Sequence, residues 1–411
     1  MGGVPQPLAA VASLGSVPFL SPRRRAILVL CAVALAGCGA GSKDNGGATD
    51  TRPILGQKGD EAEAARGLGF PGFATKNTTR VGGGDPVADA AGVAEAVFPA
   101  RSPDTRPAAV VLADRRDWRV AASAAQLSSR PLRAPVLLTD GGNIPDATGA
   151  AIDQLSPTGS KALNGAQAIK VGPAAAPAGL KTIPVAGADF ATLAAAIDRL
   201  AIKAAGEPSK AVVVASADAP EYSMPAAGWA AKSGDPVLWV QRDAIPAATR
   251  RAIQAHNRPD IYVLGPAQAV SDTVLEQLDD LGTARRVSGK DPVANAIAFA
   301  RFSDGSFGWN VVDPGHGLVF ASVRRPLDAA AGSMLSASGT YGPLLLVPDA
   351  RTMPPALQGY LLDIQPGYEK DPVRGVYNRG WLLGDETAIS ADVQARIDTL
   401  LEIQPVNKQE P

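Results

Sequence analysis

The chain is poor in the residues that most readily do chemistry. Its two cysteines, Cys31 and Cys38, both lie in the first tenth of the sequence. Past position 38 no thiol remains, so no intrachain disulfide can staple that part of the fold. The two histidines, His256 and His316, are distant in sequence, and neither belongs to an HExxH or similar spaced ligand set. Neither a metal nor a cofactor is therefore expected. There is no Gly-x-Ser-x-Gly elbow for a serine hydrolase. Acidic residues are plentiful, but no pair stands out as a glycosidase acid and base. No apolar run is long enough to span a bilayer. The longest N-terminal one, Ala26–Ala36, is about half of the ~20 residues a transmembrane helix needs. Net charge is only −1, with 39 basic and 40 acidic residues. That balance opposes a protein dominated by nucleic-acid electrostatics.

The chain is rich in alanine, glycine and valine, ordered in a repeat. Arg80-Val81-Gly82-Gly83-Gly84-Asp85-Pro86-Val87 returns as Arg286-Val287-Ser288-Gly289-Lys290-Asp291-Pro292-Val293, with Val185-Ala186-Gly187-Ala188-Asp189 between them. The three aspartates are 104 and 102 residues apart. A second landmark recurs as Pro135-Val136-Leu137-Leu138-Thr139, Pro236-Val237-Leu238-Trp239-Val240 and Pro343-Leu344-Leu345-Leu346-Val347. A proline that opens a helix follows each time, at Pro145, Pro246 and Pro354. Three landmarks in one order, three times over, indicate three homologous modules. Short continuous apolar runs alternating with Ala-rich helical stretches are the pattern of βα units, with parallel strands buried on both faces. The expected class is therefore α/β. First strands are predicted at 109–113, 211–216 and 318–322. Asp85, Asp189 and Asp291 are read as helix N-caps, with Pro86 and Pro292 at the first helical position. Gly82-Gly83-Gly84 lacks the spacing of a phosphate cradle and reads as a tight strand-to-helix turn.

The N-terminus carries a short motif. Arg23-Arg24-Arg25 precedes the apolar stretch, which ends in Leu35-Ala36-Gly37-Cys38. A basic region, a short apolar core and small residues before a cleavage point describe a secretory signal. Removal of residues 1–37, which hold three arginines and no acid, takes the net charge from −1 to −4. Residues 38–77 read as a flexible tether. Modules then follow at 78–183, 184–284 and 285–403, with a tail at 404–411.

Candidate binding residues come from the loops after the first strands, because ligands of open parallel sheets sit beyond the carboxyl ends of strands. Arg115, Arg116 and Arg119 in the first module, and Arg324 and Arg325 in the third, could present guanidinium forks to phosphate or carboxylate oxygens. The third module is also longest between its helix-opening proline and its later glycine, spanning 30 positions against 19 in the second. Its extra residues include Tyr377, Arg379 and Trp381, which could stack on sugars or meet anions; equally, they could cap an exposed end of the array.

At these landmarks, and at Tyr262-Val263-Leu264-Gly265 through Ala269-Val270-Ser271 and Leu382-Leu383-Gly384 through Ala388-Ile389-Ser390, the chain resembles the cell wall-binding repeat 2 family of Gram-positive bacteria. It departs from that family where Pro86-Val87, Phe190-Ala191 and Pro292-Val293 replace an Arg-Tyr pair. The resemblance implies three tandem Rossmann-like parallel-sheet modules packed about a pseudo-threefold axis. It also implies a non-enzymatic role in binding anionic cell-wall polymer or a peptidoglycan-associated glycan. Leu35 to Cys38 resembles the lipobox of bacterial lipoproteins, which implies Cys38 as the lipidated residue and an extracytoplasmic protein anchored to the bacterial cell membrane. The alternatives are an extracytoplasmic solute-binding or adaptor lipoprotein, and a wall-modifying enzyme.

Overall fold

A computed structural model describes residues 72–406. The expected signal segment, Cys38 and nearly all of the expected tether lie outside these residues. Strands β1 (Gly72–Ala74), β2 (Thr78–Val81), β3 (Val110–Asp114), β4 (Val136–Thr139), β5 (Ala168–Val171) and β6 (Thr182–Val185) come first in the chain. They are followed by β7 (Ala211–Ser216), β8 (Val237–Val240), β9 (Asp260–Leu264) and β10 (Thr283–Val287). The last third holds β11 (Gly317–Ser322), β12 (Leu344–Val347), β13 (Gly367–Tyr368), β14 (Arg379–Leu383) and β15 (Gln404–Pro405).

The strands form three main parallel sheets of one design, in the orders β4-β3-β5-β6, β8-β7-β9-β10 and β12-β11-β14-β2. In the last sheet β1 adds an antiparallel edge to β2. Central strands such as Val110–Asp114 and Gly317–Ser322 are buried along their whole length, as expected of strands covered by helices on both faces.

The fourth strand of each sheet comes from the repeat that follows. β6 opens the second repeat but pairs with β5 of the first, Val171 opposite Val185. β10 opens the third repeat and pairs with β9 of the second. β2 opens the first repeat and pairs with β14 of the third, Leu383 opposite Val81. Among the described residues the three sheets thus form a closed cycle, sealed by β2, which leaves no open end of the array for Tyr377, Arg379 and Trp381 to cap.

After its strand, each repeat turns into a helix held as the sequence predicts. Asp85, Asp189 and Asp291 all occupy N-cap positions. Asp189 and Thr192 close a full capping box, with Thr192 N–H donating to Asp189 at 2.8 Å. Such a cap contributes about 1 kcal/mol. Gly82 enters the first turn at φ +100°, and a side chain there would overlap Asp89. The glycine is therefore demanded both by its left-handed backbone and by close approach.

The helix after the first strand of each repeat points to the common axis. Gly228, in helix Pro225–Ser233, lets the neighbouring repeat come close: a Cβ there would sit 2.8 Å from Ser336 Oγ. Ser123, in helix Trp118–Ala124, donates to the Val237 carbonyl at 3.1 Å and accepts from Trp239 Nε1 at 2.8 Å. Small residues near the axis let the three repeats share one core, while polar partners fix their rotation.

Candidate functional site

The carboxyl ends of the strands carry the arginines singled out from the sequence, and most are neutralised where they stand. Arg116 makes a fork to Asp114 (Nη2–Oδ2 2.6 Å, Nε–Oδ2 2.9 Å). Arg119 makes another to Asp117 (2.8 and 3.1 Å) and lies over the Phe190 ring. Arg115 reaches Asp140 at 2.9 Å and Asp85 at 3.5 Å. Arg324 is exposed, and its charge is felt by Asp349. Four of these five guanidiniums already have carboxylate partners, so the edge is a mesh of local ion pairs rather than a free basic surface.

Arg325 is a different kind of residue. Its side chain is only 14% exposed and lies between two fully buried carboxylates, pairing with Asp89 and approaching Asp328 to 2.9 Å. It also donates to the Gly83 carbonyl at 3.3 Å, while Gly83 N–H donates to Asp89 at 2.6 Å. Burial pushes Asp89 up to about 6 despite the pull of Arg325. Burial and the neighbouring Asp89 charge push Asp328 well above the carboxylate range. The interaction between the two carboxyls lowers Asp89 while it raises Asp328, as when a protonated Asp328 donates to Asp89. This cluster is the seam where the first repeat's opening turn meets the third repeat.

The other two seams use the same position with different chemistry. Asn295, four residues after its N-cap as Asp89 is after Asp85, bonds Gly289 N–H at 3.2 Å and donates to the Tyr222 carbonyl at 3.0 Å. Leu193, at the equivalent place, packs on Gly172 of the preceding repeat. One seam is charged, one is amide-bonded and one is apolar. Asp89, Asp328 and Arg325 make up the charged one.

Three adjoining cavities lie at the opposite edge, among the loops that feed the amino ends of the strands, while another, lined by Ala186, Thr192, Arg199 and Arg251, lies between two helices past the end of β6. One, of about 490 Å³, is bounded by Asn77, Ala96, Arg133, Ser338, Arg379 and Trp381. A second, of about 500 Å³, shares Arg133, Ser338 and Gly339 with the first and adds Arg130, Lys232 and Ser233. A third shares Ser129, Arg130 and Ser233 with the second, and reaches Lys210. The three form one continuous depression crossing all three repeats near the axis. Arg130, Arg133, Lys210 and Lys232 are exposed, and among the described residues none has a carboxylate partner. Arg133 instead lies 5.6 Å from the Phe98 ring centroid and Lys232 3.3 Å from that of Tyr341.

The sequence-derived residues are thus divided. Arg379 and Trp381 line the axial depression beside Arg133. Arg379 also donates to the Lys76 carbonyl at 2.7 Å. Tyr377 lies on the third repeat's insertion and donates to the Pro372 carbonyl at 2.6 Å. Phe307 and Trp309, in another long loop of that repeat, are buried against Trp229 of the second, with ring centroids 4.9 and 5.3 Å apart. The axial cations escaped notice because they sit in short loops of different repeats. The available signal is positional: Arg130, Lys232 and Ser338 stand four or five residues before Pro135, Pro236 and Pro343.

A βα repeat that caps its helix with Asp189 and sends Ile261–Leu264 into Gly265 and Ser271 is compared most directly through the middle repeat. Residues 185–275 match the family model of cell wall binding domain 2. The resemblance read from the landmark residues is borne out. Two solved structures, Cwp6 and Cwp8 from Clostridium difficile, share the fold of this chain. Cwp6 superposes with a TM-score of 0.60 at 16% identity, over 79% of this chain and 48% of that one. Cwp8 does so with a TM-score of 0.60 at 15% identity, over 79% of this chain and 52% of that one. Among curated proteins, the Amidase enhancer of Bacillus subtilis (strain 168) is 30% identical over 110 residues, which is 27% of this chain and 16% of that protein. The chain spans about half the length of the two structural relatives and less than a fifth of the Amidase enhancer.

Proposed function

We propose that this is a non-enzymatic, extracytoplasmic protein whose three repeats bind an anionic polymer of the cell wall, while the lipid on Cys38 holds it to the membrane. The observation that carries the reading is the match of residues 185–275 to cell wall binding domain 2, in a chain whose other two repeats build the same sheet. A cycle of three like units also speaks against the solute-binding alternative, since hinged binding proteins close two lobes over one cleft. The chain combines a wall-directed body with a membrane anchor, and its role is to connect the two layers.

Two measurements test the two halves. Protein carrying Cys38→Ser is expected to pellet with purified Gram-positive walls at low salt. Pelleting should drop several-fold on walls stripped of anionic polymer and weaken as salt rises. Equal pelleting with and without the polymer, or none, would remove polymer binding from the account. For the anchor, the wild-type chain expressed in a Gram-positive host should take up labelled fatty acid, and Cys38→Ser should take up none. Equal labelling of both would place the lipid elsewhere.

A further inference from the structure

We infer that the axial depression at the amino ends of the strands is the anion-binding site, and that it takes successive phosphate or carboxylate groups of one polymer strand laid across the three repeats. The inference rests on the wall-binding reading for the polymer's source but locates it by independent geometry.

The first argument is electrostatic. At the carboxyl edge Arg115, Arg116, Arg119 and Arg325 are spoken for by Asp140, Asp114, Asp117 and Asp89. A ligand anion would have to displace a built-in carboxylate, and the exchange gains little. At the axial edge Arg130, Arg133 and Lys232 hold no carboxylate among the described residues, and Arg379 donates only to a carbonyl. A ligand anion there gains a charge-assisted contact without breaking one. One acid lines the depression and another stands just outside it. Asp235 turns inward to Trp229 Nε1 at 2.7 Å and to Ser209, which leaves Glu207 as the exposed carboxylate of the lining.

The second argument is shape. Neighbouring cavities share Arg133 and Ser338 on one side, and Arg130 and Ser233 on the other. The cations are thus spread along a continuous trough rather than gathered into one pocket, as suits a chain of repeating charges better than a single small ion. Hydroxyls intervene: Ser129, Ser233, Ser338 and Thr340 line the same trough. Trp381, on the wall beside Arg379, supplies a face for a sugar ring.

The test uses the chain with Cys38→Ser and measures binding of inorganic polyphosphate, polygalacturonate and neutral dextran by biolayer interferometry across a salt series. At low salt one or both polyanions should bind and dextran should not. The variant Arg130→Gln/Arg133→Gln/Lys232→Gln should bind at least tenfold more weakly, with a flatter salt dependence. Arg130→Lys/Arg133→Lys should retain most of the binding, and Lys290→Gln, at the carboxyl edge, should match wild type. Preference for polyphosphate would assign the site to phosphate-bearing polymers, and preference for polygalacturonate to carboxylate-bearing ones. The inference is overturned if wild type binds neither polyanion, or if the triple glutamine variant, folded by circular dichroism, binds as wild type does. Wall pelleting run alongside separates the two readings. Walls held equally by wild type and the triple variant would leave wall binding standing and sink the axial site. Polyanion binding lost in the triple variant, with no wall pelleting by wild type, would do the reverse.

Discussion

Arg325→Met is expected to cost the folded protein about 3–5 kcal/mol, measured by urea denaturation at pH 7. Methionine nearly fills the space but leaves Asp89 and Asp328, both fully buried, without their shared cation. Much of the penalty is that of two carboxyl groups forced into a dry seam, so neutralising them should recover most of it. Arg325→Met combined with Asp89→Asn and Asp328→Asn should return close to wild type. Asparagine is tolerable at position 89 because Asn295 already does the equivalent job at the next seam, bonding Gly289 N–H. A single Arg325→Met change below about 1 kcal/mol would show that the cluster is not an electrostatic unit. The same cluster sets a pH dependence. Burial raises Asp89 to about 6 in the folded chain, above its unfolded value of about 3.9. The folded state therefore binds the extra proton, and this contribution to stability is largest below pH 4 and fades as pH climbs through 6. In Asp89→Asn the decline across that window should flatten.

His256→Asn is expected to cost a similar amount, about 3–5 kcal/mol in the same measurement, because it strips the partner from a buried charge. Both ring nitrogens of His256 meet acceptors, Nδ1 at 2.8 Å from the Ser209 carbonyl and Nε2 at 2.9 Å from Asp198. Only the doubly protonated imidazolium can donate to both. Burial alone would lower its pKa, but the Asp198 hydrogen bond and charge outweigh it and the net shift is upward from 6.5. Its contribution is therefore complete below pH 6.5 and is lost as pH rises through the raised value. Wild type should lose stability as pH rises above 6.5, and His256→Asn should lack that slope. Asp198 also accepts from Gln126 of the first repeat at 3.0 Å, so the loss should loosen the junction between the first two repeats. An unchanged slope in the variant would mean that His256 is neutral in the fold.

Much of the architecture was legible in the sequence for a physical reason. A buried parallel strand must be apolar on both faces, and each helix must begin with a cap. Thus Pro135–Thr139 and its two echoes, and Asp85, Asp189 and Asp291, announced themselves. The sheet to which each opening strand belongs did not. Thr78–Val81 presents the same buried pattern whether it joins the nearest sheet or the farthest, and only the pairing of Leu383 with Val81 decides. The candidate site divided for a similar reason. Runs such as Arg115-Arg116 are conspicuous in a sequence, but the carboxylates that occupy Arg115, Asp140 and Asp85, are distant in the chain, and adjacency alone does not mark Asp114 as the partner that takes Arg116. Arg133 and Lys232 are inconspicuous singly and meet only because their repeats share an axis.

The closing of the cycle by β2 has a consequence for synthesis. The strand Thr78–Val81 leaves the ribosome early, yet its parallel partner Arg379–Leu383 comes near the end of the chain. Arg80 must likewise wait for Gln394 and the carbonyls of Gly384 and Ile389. Until then β2 is paired only with β1 and its other edge stays open, and the contact that closes it joins Val81 to Leu383, the kind of distant contact that slows folding. The first and second sheets receive their fourth strands as synthesis proceeds, since β6 and β10 follow their partners directly. The last sheet joins an early strand to late ones, so a ribosome that stops before Arg379 leaves two sheets finished and the third without its β14–β2 pair.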